Sequence, residues 1–251
     1  MPMRPRSSLK ILLCGAALAL SVQQSAQAYW SSDFLMYDMS SRLTLQNTFD
    51  NHNRVFKSTA SSGKKQKASA PKKNPAAYRY AYSQAVSNAV GEDFIAGLLE
   101  HARKNNALDA ATEEKIRAMQ GWNYIPYVRE SFHTRGIEAD NIASAMAFWL
   151  ATSYGTINQV EGSSLDTAKL QDQLEVAMST DKTLLAASDA DKQRIAENLL
   201  WQSLLHIVVL EEAGHDSALL QAAAKMAREN LQSYGVHVDA MRLGSEGLLL
   251  Q

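Results

Sequence analysis

Beyond Ser83 apolar positions recur every three to four residues, the spacing of amphipathic helices. Val86, Val90, Phe94 and Leu98 fall at steps of four, with Ile95 and Ala102 beside them. His101, Arg103 and Lys104 fill the last turn of this helix, where cations suit the dipole, and Asn105 and Asn106 break it. Asp109 is a good N-cap for a short helix through Met119, and Gly121 with Pro126 divides that helix from a second piece carrying Tyr127, Val128 and Phe132.

Asp140 or Asn141 caps the next helix, Ile142 to about Ile157, in which Ala143, Ala145, Met146, Ala147, Phe148, Trp149, Leu150 and Ala151 leave no wide polar face. A helix that is apolar all round is a buried one, and this run is too short to span a membrane. Ser163 with Asp166 reads as a capping pair for a helix that places Leu170, Leu174, Ala177 and Met178 on one side, and Ser188 with Asp191 repeats the device. The helix from Asp189 to about Ala213 combines Ile195, Leu199, Leu205, Val208 and Val209 with a polar stripe at Asn198, Gln202 and His206, which reads as its solvent edge. A last helix runs from Ser217, capped by Asp216, to Tyr234, with Leu220, Ala224, Ala227 and Leu231 inward and Gly235 as its stop. Val236, Val238, Met241 and Leu243 follow as an extended apolar tail. With no strand-helix alternation and no repeat of fixed period, the expected fold is all-α, a compact bundle of about six helices over residues 80–251.

The chain ahead of the bundle has a different character. Arg4, Arg6 and Lys10 precede a short apolar run, Ile11 to Leu20, and Ala26-Gln27-Ala28 supplies small residues at a cleavage site. Residues 1–28 therefore read as a signal peptide, cleaved after Ala28 to leave a chain beginning at Tyr29, periplasmic or extracellular in its final location. Cys14, the one cysteine, lies inside this leader behind the bulky Leu13, so the reading is a soluble exported chain without thiol chemistry and not a lipoprotein. In residues 29–57, Phe34, Leu35, Met36, Tyr37, Leu43 and Leu45 leave a docked helix and a docked strand both open.

Charge sharpens the division. Removing the three leader cations from 25 basic residues leaves 22 against 26 acidic ones. Eight basic residues and no acidic one lie between Asn51 and Gly91, whereas the chain from Glu92 onward carries 13 basic and 23 acidic residues. Residues 58–79 read as a basic disordered linker, since its Ser, Ala, Gly, Pro and Lys offer almost nothing to bury. Lys64, Lys65, Lys67, Lys72 and Lys73 can stay solvated or lie on the molecule's own acidic body, the reading favoured by the lack of any selective shape around them. They can also meet an anionic envelope surface. Nucleic acid is not an expected partner, because no aromatic interleaves the lysines for stacking.

One spacing has chemical meaning. Glu130-Ser131-Phe132-His133 and Glu212-Ala213-Gly214-His215 are both Glu-x-x-His, which puts a carboxylate and an imidazole on one helix face. Paired copies with two more glutamates, for which Glu100 and Glu161 are available, build carboxylate-bridged di-metal centres in bundles. Both histidines, however, fall where helices are predicted to end, the place where a histidine caps carbonyls. No metal ligand, catalytic residue or cofactor is therefore assigned, and Gly-x-Ser-x-Gly, His-Glu-x-x-His and phosphate-cradling glycine loops do not occur.

The run Asp140-Asn141-Ile142-Ala143-Ser144-Ala145-Met146-Ala147-Phe148-Trp149, the amphipathic helix after Ser188 and the closing Met241-Arg242-Leu243-Gly244-Ser245-Glu246-Gly247-Leu248 resemble a family of exported proteobacterial proteins known only as a domain of unknown function. The resemblance spans roughly residues 80–248 and implies an exported helical domain, with no catalytic residue to carry over. The expected role is non-enzymatic binding or scaffolding in the bacterial envelope. The competing reading is a metalloprotein or enzyme using the Glu-x-x-His pairs.

Overall fold

The structure, a computed structural model, describes residues 46–51 and 72–250. The leader, most of the 29–57 segment and the arm up to residue 71 lie outside the described residues. Between residues 84 and 233 the chain forms eight α-helices: α1 (Gln84–Lys104), α2 (Ala110–Ala118), α3 (Tyr124–Thr134), α4 (Ile142–Asn158), α5 (Ala168–Met178), α6 (Lys182–Ala186), α7 (Asp189–Ala213) and α8 (Ser217–Ser233). The excess over six comes from short pieces such as α6, a single turn capped by Asp181 that no periodicity window detects.

The N-caps fall where short polar residues precede apolar runs. Asp109 accepts from the Thr112 amide, Asn141 from Ala143, Ser188 from Asp191 in a reciprocal capping box, and Asp216 from Ala218 and Leu219. The helix expected behind Ser163 and Asp166 begins later than that pair, with Thr167 as its N-cap. Gly162–Ser164 is instead a 3-10 turn pressed on α4, and α5 starts at Ala168, whose amide is taken by Asp166 Oδ1 at 2.9 Å.

Fourteen of the seventeen residues of α4 are buried, so it is the axis around which the others pack. Its most extensive contact is with α7, then α8 and α5, while α1 covers another side of α7. Phe49, in a helical segment over 46–51, joins the same core, so part of the 29–57 region docks on the body. The predicted linker also ends before residue 79. Pro75–Ala77 forms a 3-10 turn, Ala77 and Tyr78 are buried, and Arg79 pairs with Asn141 in an isolated antiparallel bridge. Basic composition set that boundary too late, since the buried Ala77 and Tyr78 supply enough apolar surface to anchor the chain.

The apolar tail is a hairpin. β1 (Met241–Gly244) and β2 (Gly247–Leu250) pair antiparallel, with Met241 opposite Leu250 and Leu243 opposite Leu248. β2 lies on α5, where Gln173 donates to the Leu250 carbonyl and accepts its amide, each at 3.0 Å.

The polar stripe of α7 does not face water. Gln202 and His206 are buried because α4 and α8 cover that side, and Asn198 is half-buried. Gln202 Nε2 donates to the Tyr234 hydroxyl at 2.8 Å, Asn230 Nδ2 donates to Gln202 Oε1 at 3.3 Å, and His206 Nδ1 lies 3.1 Å from Ser153 Oγ. A period of 3.6 marks a polar stripe but does not say whether water or a buried network satisfies it.

Burial pushes the His206 imidazole down to about 4. The unfolded chain takes up this proton near the ordinary value of about 6.5, so between about pH 6.5 and pH 4 the unfolded state binds a proton that the folded state does not. Stability fully present above that window is lost as pH falls through it, by about 3 kcal/mol at its lower end. Denaturant titrations of parent and His206→Gln at pH 7 and pH 4 check this: the drop should be smaller in the variant by about that amount.

Candidate binding groove

A groove of about 590 Å3 opens between the start of α1, the outer face of α3 and the segment entering α4. Tyr82 and Gln84 line one wall, Pro126, Arg129, Glu130 and His133 the second, and Ile137 to Asp140 the third. Three local features position these groups. Ser83 caps α1 and turns Tyr82 outward of the helix start; the helical spacing of α3 puts residues 126, 129, 130 and 133 on one side; and Asn141 ends the approach to α4. The Tyr80 amide donates to the Asp140 carbonyl at 3.2 Å and the Ile142 amide to the Tyr78 carbonyl at 2.9 Å, which fastens two walls together.

Arg129 is the groove's central cation. Its guanidinium forms an ion pair with Asp140 and stands 3.8 Å from the centroid of the Tyr82 ring, whose hydroxyl donates to Gln84 Oε1 at 2.9 Å. Burial lowers the Arg129 pKa, but the Asp140 carboxylate more than offsets this and leaves it above the ordinary value. Glu138 meets Arg79 at 2.7 Å and accepts from Asn141 Nδ2 at 3.1 Å. The same Asn141 amide donates to Glu175 at 2.9 Å, so one side chain caps α4 and ties two carboxylates to it. Glu175 in turn meets Lys73 at 2.7 Å, and Lys73 also meets Asp172 at 2.6 Å. With the Asn74 amide donating to Ser179 Oγ at 2.7 Å, the end of the basic arm is clamped to α5.

Beneath the α1 start lie Gln193 and Glu197 of α7, both buried. Gln193 Oε1 accepts from the Ser83 amide, and its Nε2 donates to Glu197 Oε1, each at 2.8 Å. Burial raises the Glu197 pKa, and its Oε2 has no hydrogen-bond partner among the described residues.

Glu130 and His133, singled out by their spacing, line this groove together and are exposed. His215 does not join them; it lies in the connection between α7 and α8, past Gly214, while Glu212 belongs to the last turn of α7. Among the described residues no three His, Cys, Asp or Glu side chains come together as metal ligands. Arg129, Tyr82 and Glu197 carry no signal in the sequence, because their partners come from other elements. Arg129→Ala should cost only about 1 kcal/mol in a denaturant titration, since the ion pair and the ring contact are both only half-buried. A loss several times larger would mean that the groove walls depend on this one side chain.

An all-helical body closed by a two-stranded hairpin, with a surface groove whose charges are mostly paired with one another, defines the class of protein. The chain belongs to a family of unknown function (DUF6683), whose model matches residues 7–251. No curated protein and no solved structure matches it. Among the described residues no helix is long and apolar enough to cross a membrane.

Proposed function

We propose that the protein is an exported, non-enzymatic module that contacts an anionic surface of the bacterial envelope through its basic arm. The clamp at Lys73 supports this reading. Lys73 pairs with both Asp172 and Glu175, and Lys72 beside it is exposed. Lys72, beside this clamp, is left for an anionic partner, and Lys64, Lys65 and Lys67 of the same basic run add charge of the same sign. The groove supports a binding role over a catalytic one: Arg129, Asp140 and Glu138 hold the walls together, and Glu130 and His133 remain as exposed recognition groups.

The test is co-sedimentation with vesicles containing phosphatidylglycerol, at low salt and at about 0.15 M salt, where screening shortens to about 8 Å. The chain from Tyr29 should bind at low salt and release steeply as salt rises. A variant with Gln at positions 64, 65, 67 and 72 should not bind, whereas Lys73→Gln should still do so. Equal sedimentation of parent and four-Gln variant, or no binding by the parent, would overturn the reading.

A further inference from the structure

Arg129 is held in a way that leaves one edge of its guanidinium free. Asp140 Oδ1 takes Nη1, and the guanidinium carbon lies 3.8 Å from the centroid of the Tyr82 ring, so the direction of the side chain and the surface it rests on are both set. The ring is itself fixed: the Tyr82 hydroxyl donates to Gln84 Oε1 at 2.9 Å, and Gln84 Nε2 donates to Asn88 Oδ1 at 2.8 Å. Asp140 is fastened too, its carbonyl accepting from the Tyr80 amide at 3.2 Å. Nε and Nη2 of Arg129, by contrast, have no hydrogen-bond partner among the described residues. These two nitrogens share one side of the guanidinium and carry the parallel N–H pair that matches both oxygens of a carboxylate. A side chain already ordered loses little rotamer freedom when a ligand meets it.

The remaining charges of the groove say what should accompany that carboxylate. Glu138 is paired with Arg79 at 2.7 Å and Asp140 with Arg129, so neither acid is left over. Glu130 follows Arg129 on α3, lines the same groove and is exposed, with no ion-pair partner among the described residues. A ligand that is only an anion meets this carboxylate unfavourably, whereas one with an ammonium close to its own carboxylate gains from it. Pro126, Ile137 and Ala139 add apolar surface, and the volume of about 590 Å3 is that of a small-molecule site.

We propose that the groove binds the free carboxylate of an α-amino acid or a short peptide, the Nε–Nη2 edge of Arg129 taking the carboxylate and Glu130 the ammonium. Such a ligand rests on the binding role proposed for the groove and is independent of the basic arm. Inorganic phosphate fits less well, because it brings no cation to Glu130.

Alanyl-alanine is the probe, read by NMR on the isotope-labelled chain from Tyr29. The Arg129 Nε–H signal and the amides of α3 should shift and saturate. Alanyl-alanine amide, which lacks the carboxylate, should bind at least about tenfold more weakly, and Arg129→Lys, which keeps the charge but not the two-pronged edge, should weaken alanyl-alanine by as much. N-acetyl-alanyl-alanine, which lacks the ammonium, should bind more weakly than alanyl-alanine to the parent but equally to Glu130→Gln. Free alanine beside alanyl-alanine separates the two sources, the tighter of them being the ligand type the groove is shaped for. The variant with Gln at positions 64, 65, 67 and 72 should bind alanyl-alanine as the parent does, so a failure of the arm on vesicles would leave this site standing. Equal affinity for alanyl-alanine and its amide, an Arg129 Nε–H signal that does not move, or equal binding of inorganic phosphate would overturn the proposal.

Discussion

Replacing Trp149 with alanine should remove about 3–5 kcal/mol of stability, a large part of what a domain of this size has. The indole is fully buried in α4, its Nε1 donates to Asn230 Oδ1 at 3.1 Å, and its ring meets that of Tyr234 edge to face at 5.2 Å. Truncation therefore opens a cavity, loses the ring pair and strands a buried amide that also donates to Gln202. The effect should spread to α7 and α8, which meet α4 around this side chain. Thermal melts followed by far-UV circular dichroism check it: a mainly helical spectrum for both proteins and a much lower midpoint for the variant. A midpoint within a few degrees of the parent would mean that α4 is not the axis of the body.

Gly162→Ala should cost about 3 kcal/mol or more, although it adds only one methyl group. At this position the 3-10 turn lies directly on the backbone of α4. A Cβ would stand 2.7 Å from the Thr152 Cα and closer still to the Ala151 carbonyl oxygen. Gly155, facing it from α4, is equally tight, with a Cβ 2.6 Å from the Gly162 nitrogen. Neither neighbour is a side chain that can swing aside, so the turn or the helix must move. Gly136, by contrast, has open space where its Cβ would be but a φ of 70°, so Gly136→Ala should cost about 1 kcal/mol through backbone strain alone. Denaturant titrations of the two variants should separate them clearly, and equal losses would contradict this account of the close approach.

How much of this was legible in the sequence depends on whether a feature is local. Asp109, Asn141, Ser188 and Asp216 could be placed as caps because a cap joins residues two or three apart, and the wholly apolar run around Trp149 announced the central helix without help. The stripe at Gln202 and His206 failed because its meaning depends on α4 and α8, elements distant in sequence that bring Ser153, Asn230 and Tyr234 to it. The hairpin was missed although a signal was present: Gly244-Ser245-Glu246-Gly247 is a two-residue loop between glycines, and Gly247 adopts a φ of 88° where its chain passes against Asp166. Its strands are only four residues each, too short for alternation to stand out against the helical background. Of the groove, the Glu130–His133 spacing was readable and correctly put both on one face. Arg129 with Tyr82 and Asp140 was not, since three separate segments meet there and no period links them. The basic arm is a reading from composition that lies mostly outside the described residues, and the pairing of Lys73 with Asp172 and Glu175 was not legible because those carboxylates come from a helix far along the chain.

The central proposal is that the chain is exported and that its helical body works without a bound metal. Native mass spectrometry of the protein recovered from the cells that make it, without a histidine tag, tests this in one spectrum. The account predicts a single species that begins at Tyr29, with the mass of the unmodified polypeptide. A chain that retains Met1, one that carries an acyl group on Cys14, or one that holds stoichiometric iron, manganese or zinc would contradict it.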